Sequence, residues 1–91
     1  MKFLPLALVA EAVGAFALLT AILFTGNWLA IGLTLSSVIL LIGETSGGHI
    51  NPAVSFAMYL KGAIGLTELL TYSLAQCAGA ASALYVYKSI A

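Results

Sequence analysis

A short polar segment interrupts this otherwise apolar chain, and its residue types favour hydrogen bonding over catalysis. The segment runs from Gly43 to Asn51 and contains three glycines, a glutamate, a histidine and an asparagine. Backbone carbonyls beside glycines and the asparagine amide can both bind a neutral polar molecule. The sequence has no nucleophile–base pair, carboxylate pair or metal-ligand set on which a reaction could be built, so an enzyme is not expected.

The other reactive side chains do not suggest a site. Cys77 is the single cysteine, so it cannot form an internal disulfide, and its apolar neighbours predict a small buried hydrophobic residue. One cysteine with one histidine makes no metal-ligand set, and no cofactor is implied. Three lysines and three glutamates give zero net charge without a basic run, which leaves nucleic-acid binding no electrostatic basis.

Composition places the chain in a membrane. Its 91 residues are 63% hydrophobic and only 7% charged. A soluble domain of this size has a large surface for its volume and must cover it with polar groups. The surface must therefore face lipid, and the length allows a single all-α membrane domain.

Three apolar stretches are long enough to cross a bilayer as helices. They cover approximately residues 3–24, 28–43 and 66–87. Asn27 is expected to cap the second span and Thr67 the third. Trp28 suits the membrane interface, and Tyr72 suits an interfacial or packed position near the end of the third span.

Residues 51–60 are apolar but extend only about 15 Å as a helix, half the bilayer thickness. Asn51 is a favoured N-cap, Pro52 suits the first helical position, and Lys61-Gly62 suits the far end. The pattern predicts a half-helix that re-enters the membrane after a loop at residues 44–50. Backbone at that depth must be buried in protein or line a wet cavity. The alternative is a hairpin lying at the headgroups.

Small residues recur at helical spacing and predict close packing of the spans. Ala75, Gly79 and Ala83 recur every four residues in the third span, and Ala10 and Gly14 do so in the first. This spacing lets helix backbones approach each other within a membrane.

The run from Ser46 to Val54, Ser-Gly-Gly-His-Ile-Asn-Pro-Ala-Val, resembles the first signature loop of the aquaporin and glycerol-facilitator family. It follows two spans and precedes a third, as in that family. Further segments resemble the family's three helices in order: Ala10-Glu11 with Gly14, Gly32-Leu33-Thr34, and Ala75-Gln76 with Gly79. The resemblance covers nearly the whole chain, but only the first half of the family's pattern, with one Asn-Pro-Ala motif.

The resemblance implies a passive channel for water or small neutral solutes such as glycerol. Glu11 is implied to accept hydrogen bonds from the descending loop, and Gln76 to brace that loop through its amide. The residues assigned to the pore lining or its selectivity are Asn51, Pro52, Ala53, Val54, Gly47, Gly48, His49, Ile31 and Ile39. The family's narrow filter usually relies on an arginine, and this chain has none; Val54 occupies the corresponding place. Strict water selectivity is therefore not expected, and Glu44 receives no role.

A single half cannot enclose a pore, because one flank of its polar loop would face lipid. The family pairs two inverted halves around a midplane site, a general transporter arrangement. The expected completion is an antiparallel homodimer, with as many as four pores per assembly, or a separately encoded second half. Lys2 and Lys61 are expected on one side of the cell membrane and Lys88 on the other, too weak a bias to fix one orientation.

Two other functions remain open from the sequence. The segment Ala10-Glu11-Ala12-Val13-Gly14 is also similar to the first helix of proton-coupled small multidrug-resistance exporters, which would use Glu11 for transport. That family has four full spans and lacks the Gly-Gly-His-Ile-Asn-Pro-Ala loop. A non-transporting, truncated subunit is the other alternative.

Overall fold

Residues 3–91 are described by a computed structural model, and they form four α-helices without a strand. The helices are α1 (Leu4–Thr25), α2 (Trp28–Ser46), α3 (Pro52–Lys61) and α4 (Leu66–Ile90). Three of them, α1, α2 and α4, are long and apolar enough to cross a membrane, whereas α3 has only 10 residues. The architecture is the predicted all-α arrangement of three candidate spans and one short helix. Lys2, which entered the charge argument, lies outside the described residues.

Local signals at the helix ends explain most of these bounds. Asn27 caps α2 as predicted, because its side chain accepts hydrogen bonds from the backbone N–H groups of Leu29 and Ala30. That helix continues to Ser46 rather than ending at residue 43, and stops where Gly47 takes a left-handed conformation with φ 93°. The interruption between α2 and α3 is therefore shorter than the predicted loop at residues 44–50.

The expected cap of the last span is wrong by two residues. Gly65, not Thr67, is the N-cap of α4, and its N–H donates to the Glu68 carboxylate at 3.3 Å. The carboxylate at the third helical position thus accepts from the N–H group of the cap residue itself, which is one half of a capping box. The same helix continues to Ile90, three residues past the predicted end.

Helix α1 is the central element of the fold. It packs against α2 on one side and α4 on the other, while α3 packs against α4. The buried residues of α1 recur at intervals of three and four, which places them along one stripe: Ala7, Glu11, Gly14 and Ala15. The buried residues of α4 follow the same periodicity: Tyr72, Gln76, Gly79 and Ala83. Each stripe carries a buried polar side chain at the same level of the bundle, Glu11 in α1 and Gln76 in α4.

Gly79 marks the closest approach of α1 and α4. A Cβ atom built on it would collide with the backbone carbonyl oxygen of Ala12 and lie 3.1 Å from the backbone nitrogen of Phe16. Neither backbone atom can move without shifting α1. Ala83, one turn farther along α4, is also fully buried, whereas Ala75 is half-buried.

Gly79→Ala is expected to lower the free energy of unfolding by about 1–3 kcal/mol, because overpacking this contact forces the helices apart. Gly32→Ala is the matched control, since an added Cβ there meets nothing within 4 Å. It should raise stability by about 0.5–1 kcal/mol through helix propensity. Circular dichroism of unfolding in a mild detergent would compare them, and a decrease of equal size in both would contradict the close approach.

The short helix begins halfway along the two long helices that flank it. Asn51 and Pro52 line one groove together with Ala15 and Leu18 of α1 and with Gln76 of α4. These positions lie near the middle of Leu4–Thr25 and of Leu66–Ile90. A four-residue connection, residues 62–65, then returns the chain from the end of α3 to the start of α4. Helix α3 therefore runs from mid-height back towards one end of the bundle.

Candidate functional site

The loop between α2 and α3 has an unusual backbone. Gly47, Gly48 and Ile50 have positive φ values of 93°, 62° and 64°. Glycine adopts this conformation freely, but for a β-branched residue it is a strained one that costs about 1–3 kcal/mol. The Ile50 side chain is 4% exposed and packs in the cluster that contains Ala15 and Val38, which offsets the strain.

The side chain of Glu11, from α1, holds this loop in place through hydrogen bonds. Its carboxylate is fully buried and accepts four hydrogen bonds. Oε2 accepts from the Ser46 hydroxyl at 2.6 Å and from the His49 backbone N–H at 3.0 Å. Oε1 accepts from the Ile50 backbone N–H at 2.7 Å and from the Gln76 amide at 2.8 Å. A carboxylate offers about four acceptor sites, so this one is fully used.

The hydrogen bonds to Glu11 fix the direction of the loop carbonyls. Residues 3–91 contain no cis peptide bond, and in a trans peptide the C=O points opposite to the N–H. The N–H groups of His49 and Ile50 point at the carboxylate, and that of Gly48 donates at 3.2 Å to the serine hydroxyl beside it. The carbonyls of the three preceding residues therefore point away from the buried carboxylate: Gly47, Gly48 and His49.

A second set of hydrogen bonds joins the loop to α3 and α4. The Gln76 amide also donates to the Ser55 hydroxyl at 3.1 Å, and that oxygen lies 2.8 Å from Nδ1 of His49. The His49 ring lies against the ring of Tyr72, with centroids 5.0 Å apart. The Tyr72 hydroxyl donates at 2.7 Å to the backbone carbonyl of Ser46, the last residue of α2. These contacts fix the loop at both of its ends.

Asn51 has a fixed orientation at the start of α3. Its Oδ1 accepts a hydrogen bond from the Ala53 backbone N–H at 2.8 Å, the N-cap interaction that the sequence predicted. Because an N–H group can only donate, the atom facing it must be the oxygen, and the Asn51 amide NH2 points the other way. Asn51 is exposed on the single chain, so that NH2 group is available to a bound molecule.

The other residues assigned to the lining are only partly brought together. Gly48 lies against Ile39, since a Cβ on Gly48 would be 3.4 Å from the Ile39 Cα. Ile31 is eight residues earlier on α2, about 12 Å away along the helix. Val54 is exposed at the start of α3, as are its neighbours Pro52 and Ala53. Within residues 3–91, α2 does not pack against α3, so the apolar side chains of these two helices border an open face.

Four further residues belong to the site and were not assigned to it from the sequence: Ser46, Ile50, Ser55 and Tyr72. Tyr72 is fully buried, and its spacing of four from Gln76 was a usable signal, because that spacing places both on one helix face. The positive φ of Ile50 had no signal in the sequence. The prediction that Cys77 is buried is wrong. Its side chain is exposed, because it lies beside the buried stripe of α4 rather than on it.

The chemistry available here is hydrogen bonding. In the part of the chain that the structure describes, no group of three or more His, Cys, Asp or Glu side chains could hold a metal ion. The site instead presents three carbonyl acceptors, followed by an amide donor at the N-terminus of α3, where the helix dipole adds positive potential. Such a row can bind a small neutral molecule that both donates and accepts.

Comparison with known proteins finds a matching family model and several relatives. The family model described as "Major intrinsic protein" matches residues 6–91. Aquaporin Z of Photorhabdus laumondii is 41% identical over 69 residues, covering 72% of this chain and 30% of the relative. Aquaporin Z of Brucella melitensis is 42% identical over 69 residues, and the match again covers 72% of this chain and 30% of the relative. Lens fiber major intrinsic protein of Gallus gallus is 44% identical over 55 residues, covering 60% of this chain and 21% of the relative. The matched part thus spans less than a third of these curated relatives.

Proposed function

The chain belongs to the major intrinsic protein family, and from that premise we propose that it contributes half of a passive channel for water and small neutral solutes. It is an integral multi-pass membrane protein of a family of channels, not enzymes. The proposed location is the cell membrane. The three outward carbonyls of the loop, held by one buried carboxylate, are the observation that carries the proposal.

The row of carbonyls gives a permeating molecule a succession of acceptors. A water molecule or a polyol moving along it donates hydrogen bonds to Gly47, Gly48 and His49 in turn. At the start of α3 it accepts one from the Asn51 amide, so its orientation reverses there. This reversal interrupts a chain of like-oriented waters, and the positive end of α3 repels cations. Neutral molecules therefore pass, and protons and cations do not.

The walls of the proposed pore favour a broad range of neutral solutes. Ile31, Ile39 and Val54 supply apolar surface opposite the carbonyls, and the chain has no arginine to narrow or polarise the passage. An apolar wall facing a row of acceptors suits a molecule with a hydrocarbon side and a hydroxyl side. Glycerol is therefore a proposed permeant beside water.

The fold also supports the need for a second half. The polar start of α3 lies at mid-height and is exposed on the single chain, whereas polar backbone at that depth cannot face lipid. A second half that contacts the start of α3 would enclose the hydrated passage. An inverted copy of this chain and a separately encoded half both satisfy that requirement.

The arrangement of Glu11 argues against a proton-coupled exporter. A carboxylate that carries protons across a membrane must exchange them with water on each side. Glu11 is fully buried, and its acceptor sites are occupied by four donors from the loop, α2 and α4. Protonation would disrupt the support of the loop itself, so we assign Glu11 a structural role.

Purified protein reconstituted in liposomes is expected to accelerate osmotic shrinkage and glycerol-driven reswelling above empty liposomes, measured by stopped-flow light scattering. The rates should not change when a pH gradient is imposed, because passage is passive. Flux that requires the gradient would indicate the exporter. Rates equal to those of empty liposomes, with the protein shown to be folded and inserted, would indicate the non-transporting subunit.

A further inference from the structure

Glu44 is an ionisable side chain of α2 that takes no part in the site described above, and it is exposed on the single chain. It also lies deep in the bundle. A Cβ atom built on Gly14 would contact Val38 and Ile42, so the part of α2 around residue 40 is level with the middle of α1, Leu4–Thr25. Glu44 is about one helical turn beyond that level. A carboxyl group at this depth is costly when it faces lipid, so another polar group is expected to cover it.

The direction of Glu44 places it outside the proposed pore. The loop lies on the flank of α2 that carries Ile39, since a Cβ on Gly48 would be 3.4 Å from the Ile39 Cα. Residues five positions apart on an α-helix are turned by about 140° from each other, so Glu44 points away from the loop. It also points away from α1, which packs on the side of α2 that carries Val38. Glu44 therefore belongs to the outer surface of the bundle.

The outer surface of α2 carries a stripe of four residues, Ser37, Leu40, Leu41 and Glu44, which we call the outer stripe. Their spacing of three and four residues places them on one helix face. Leu40 is 84% exposed and Leu41 78% exposed, and both polar side chains are exposed too. Since a polar residue stands at each end and leucines stand between, the outer stripe has the same pattern in both directions along the helix.

This pattern makes the outer stripe complementary to an inverted copy of itself. A two-fold axis pairs residue i of one chain with residue j of the other, and j with i. The midpoint between Ser37 and Glu44 falls between Leu40 and Leu41, at the level of the middle of α1, where an axis in the membrane plane must lie. Such an axis places Ser37 of each chain against Glu44 of the other. A parallel copy would instead bring two Glu44 carboxyl groups together.

The Ser37 hydroxyl can supply the hydrogen-bond donor. In the single chain it donates to the backbone carbonyl of Leu33 at 2.8 Å. That carbonyl also accepts the helical hydrogen bond of α2, so the hydroxyl can rotate to a carboxyl oxygen without leaving the carbonyl unpaired. Hydrogen bonds between helices stabilise their association in a membrane, whereas leucines alone provide little, because lipid is equally apolar.

We propose that the outer stripe of α2 binds the outer stripe of a second, inverted copy of this chain, with the Ser37 hydroxyl of each copy donating to the Glu44 carboxyl group of the other. The contact lies away from the loop and from the start of α3, so it joins chains side by side outside the proposed pore. It requires that the chain spans a membrane in both orientations, and it does not depend on which molecule the protein conducts.

Two single-cysteine variants test this pairing: Ser37→Cys and Glu44→Cys, each in a Cys77→Ser background. They are reconstituted in liposomes separately and as a mixture, and treated with a short, lipid-soluble bifunctional thiol reagent. In the mixture one native pair survives, because the Ser37→Cys chain retains Glu44 and the Glu44→Cys chain retains Ser37. The mixture is expected to give covalent dimers in several-fold higher yield than either variant alone.

Ser36→Cys, mixed with Glu44→Cys, is the matched control and should give a low yield. Ser36 is also exposed, but it is turned by about 100° around the helix from Ser37. A second pair of variants tests the hydrogen bond. Glu44→Ala added to the Ser37→Cys chain removes the surviving native pair and should lower the yield several-fold. Glu44→Gln in the same chain keeps an acceptor oxygen and should leave the yield close to that of the original mixture.

Three results would overturn the proposal. Covalent dimers formed by either variant alone as readily as by the mixture would indicate parallel chains. Their absence from every sample would show that the outer stripe does not bind another copy, and a yield unaffected by Glu44→Ala would show that the carboxyl group does not hold the pair. Osmotic flux is recorded on the same liposomes. Flux without covalent dimers leaves the proposed channel standing, whereas the expected dimers without flux support the contact and contradict the proposed function.

Discussion

Replacing Glu11 with glutamine is expected to lower the free energy of unfolding by about 1–3 kcal/mol, the usual cost of leaving a buried hydrogen-bond donor without its acceptor. Glutamine keeps one acceptor oxygen but turns an NH2 group towards groups that are themselves donors. Depending on its orientation, it opposes the backbone N–H of His49 or that of Ile50. Neither N–H can turn away, because both belong to the loop backbone. Thermal unfolding in mild detergent, followed by circular dichroism, would measure the loss.

Glu44→Gln is the control for Glu11→Gln, because Glu44 is exposed near the end of α2. Its expected effect is within about 0.5 kcal/mol, as for most surface substitutions. The Glu11 variant should still conduct at a temperature where it remains folded, and its flux should stay independent of a pH gradient. A variant as stable as the parent protein would contradict the support described for the loop. Full stability combined with complete loss of gradient-driven transport would instead favour the exporter.

Val54→Arg is expected to reduce glycerol flux by about tenfold or more, which corresponds to roughly 1.4 kcal/mol or more of added barrier. Val54 is exposed in the first turn of α3, in the proposed pore. An arginine there would extend a long charged side chain into the passage, and a symmetric dimer would contain two. Stopped-flow reswelling in liposomes with equal amounts of inserted protein would measure the change.

Val54→Ala serves as the control for Val54→Arg, because it shortens the side chain without adding charge. Its glycerol flux should equal or exceed that of the parent protein. Ile31→Arg tests the other wall and should also reduce flux. Unchanged glycerol flux in both arginine variants would show that these positions do not line the passage.

The elements of the fold were predictable because their signals are local. Apolar length gave the three spans, and the Asn-Pro start with the Lys-Gly end gave the short helix. Asn27 and Asn51 cap their helices as expected, since a capping side chain acts on N–H groups two or three residues away. Thr67 misled for the same local reason: it is a good cap residue, but Gly65 two positions earlier already begins the helix with help from Glu68.

The details of the site were less predictable because they depend on distant contacts. The family resemblance implied that Glu11 and Gln76 brace the loop, and in the structure the two side chains hydrogen bond to each other across 65 positions. The left-handed conformation of Ile50 follows from the pocket that holds its side chain and from the carboxylate that holds its N–H. Neither is visible in the residues around it. The lining role of Ile31, Ile39 and Val54 stays a prediction.

The dependence of the loop on Gln76 has a consequence for biogenesis. During synthesis α1, α2 and α3 leave the ribosome before α4, so Glu11 meets the loop N–H groups before the amide that completes its set exists. The loop is also supported by the tilted contact of the His49 ring with the Tyr72 ring and by the hydrogen bond from that tyrosine to the end of α2. Both come from α4. The segment to which we assign the proposed transport chemistry should therefore take its final shape last, after the fourth helix has been released into the bilayer.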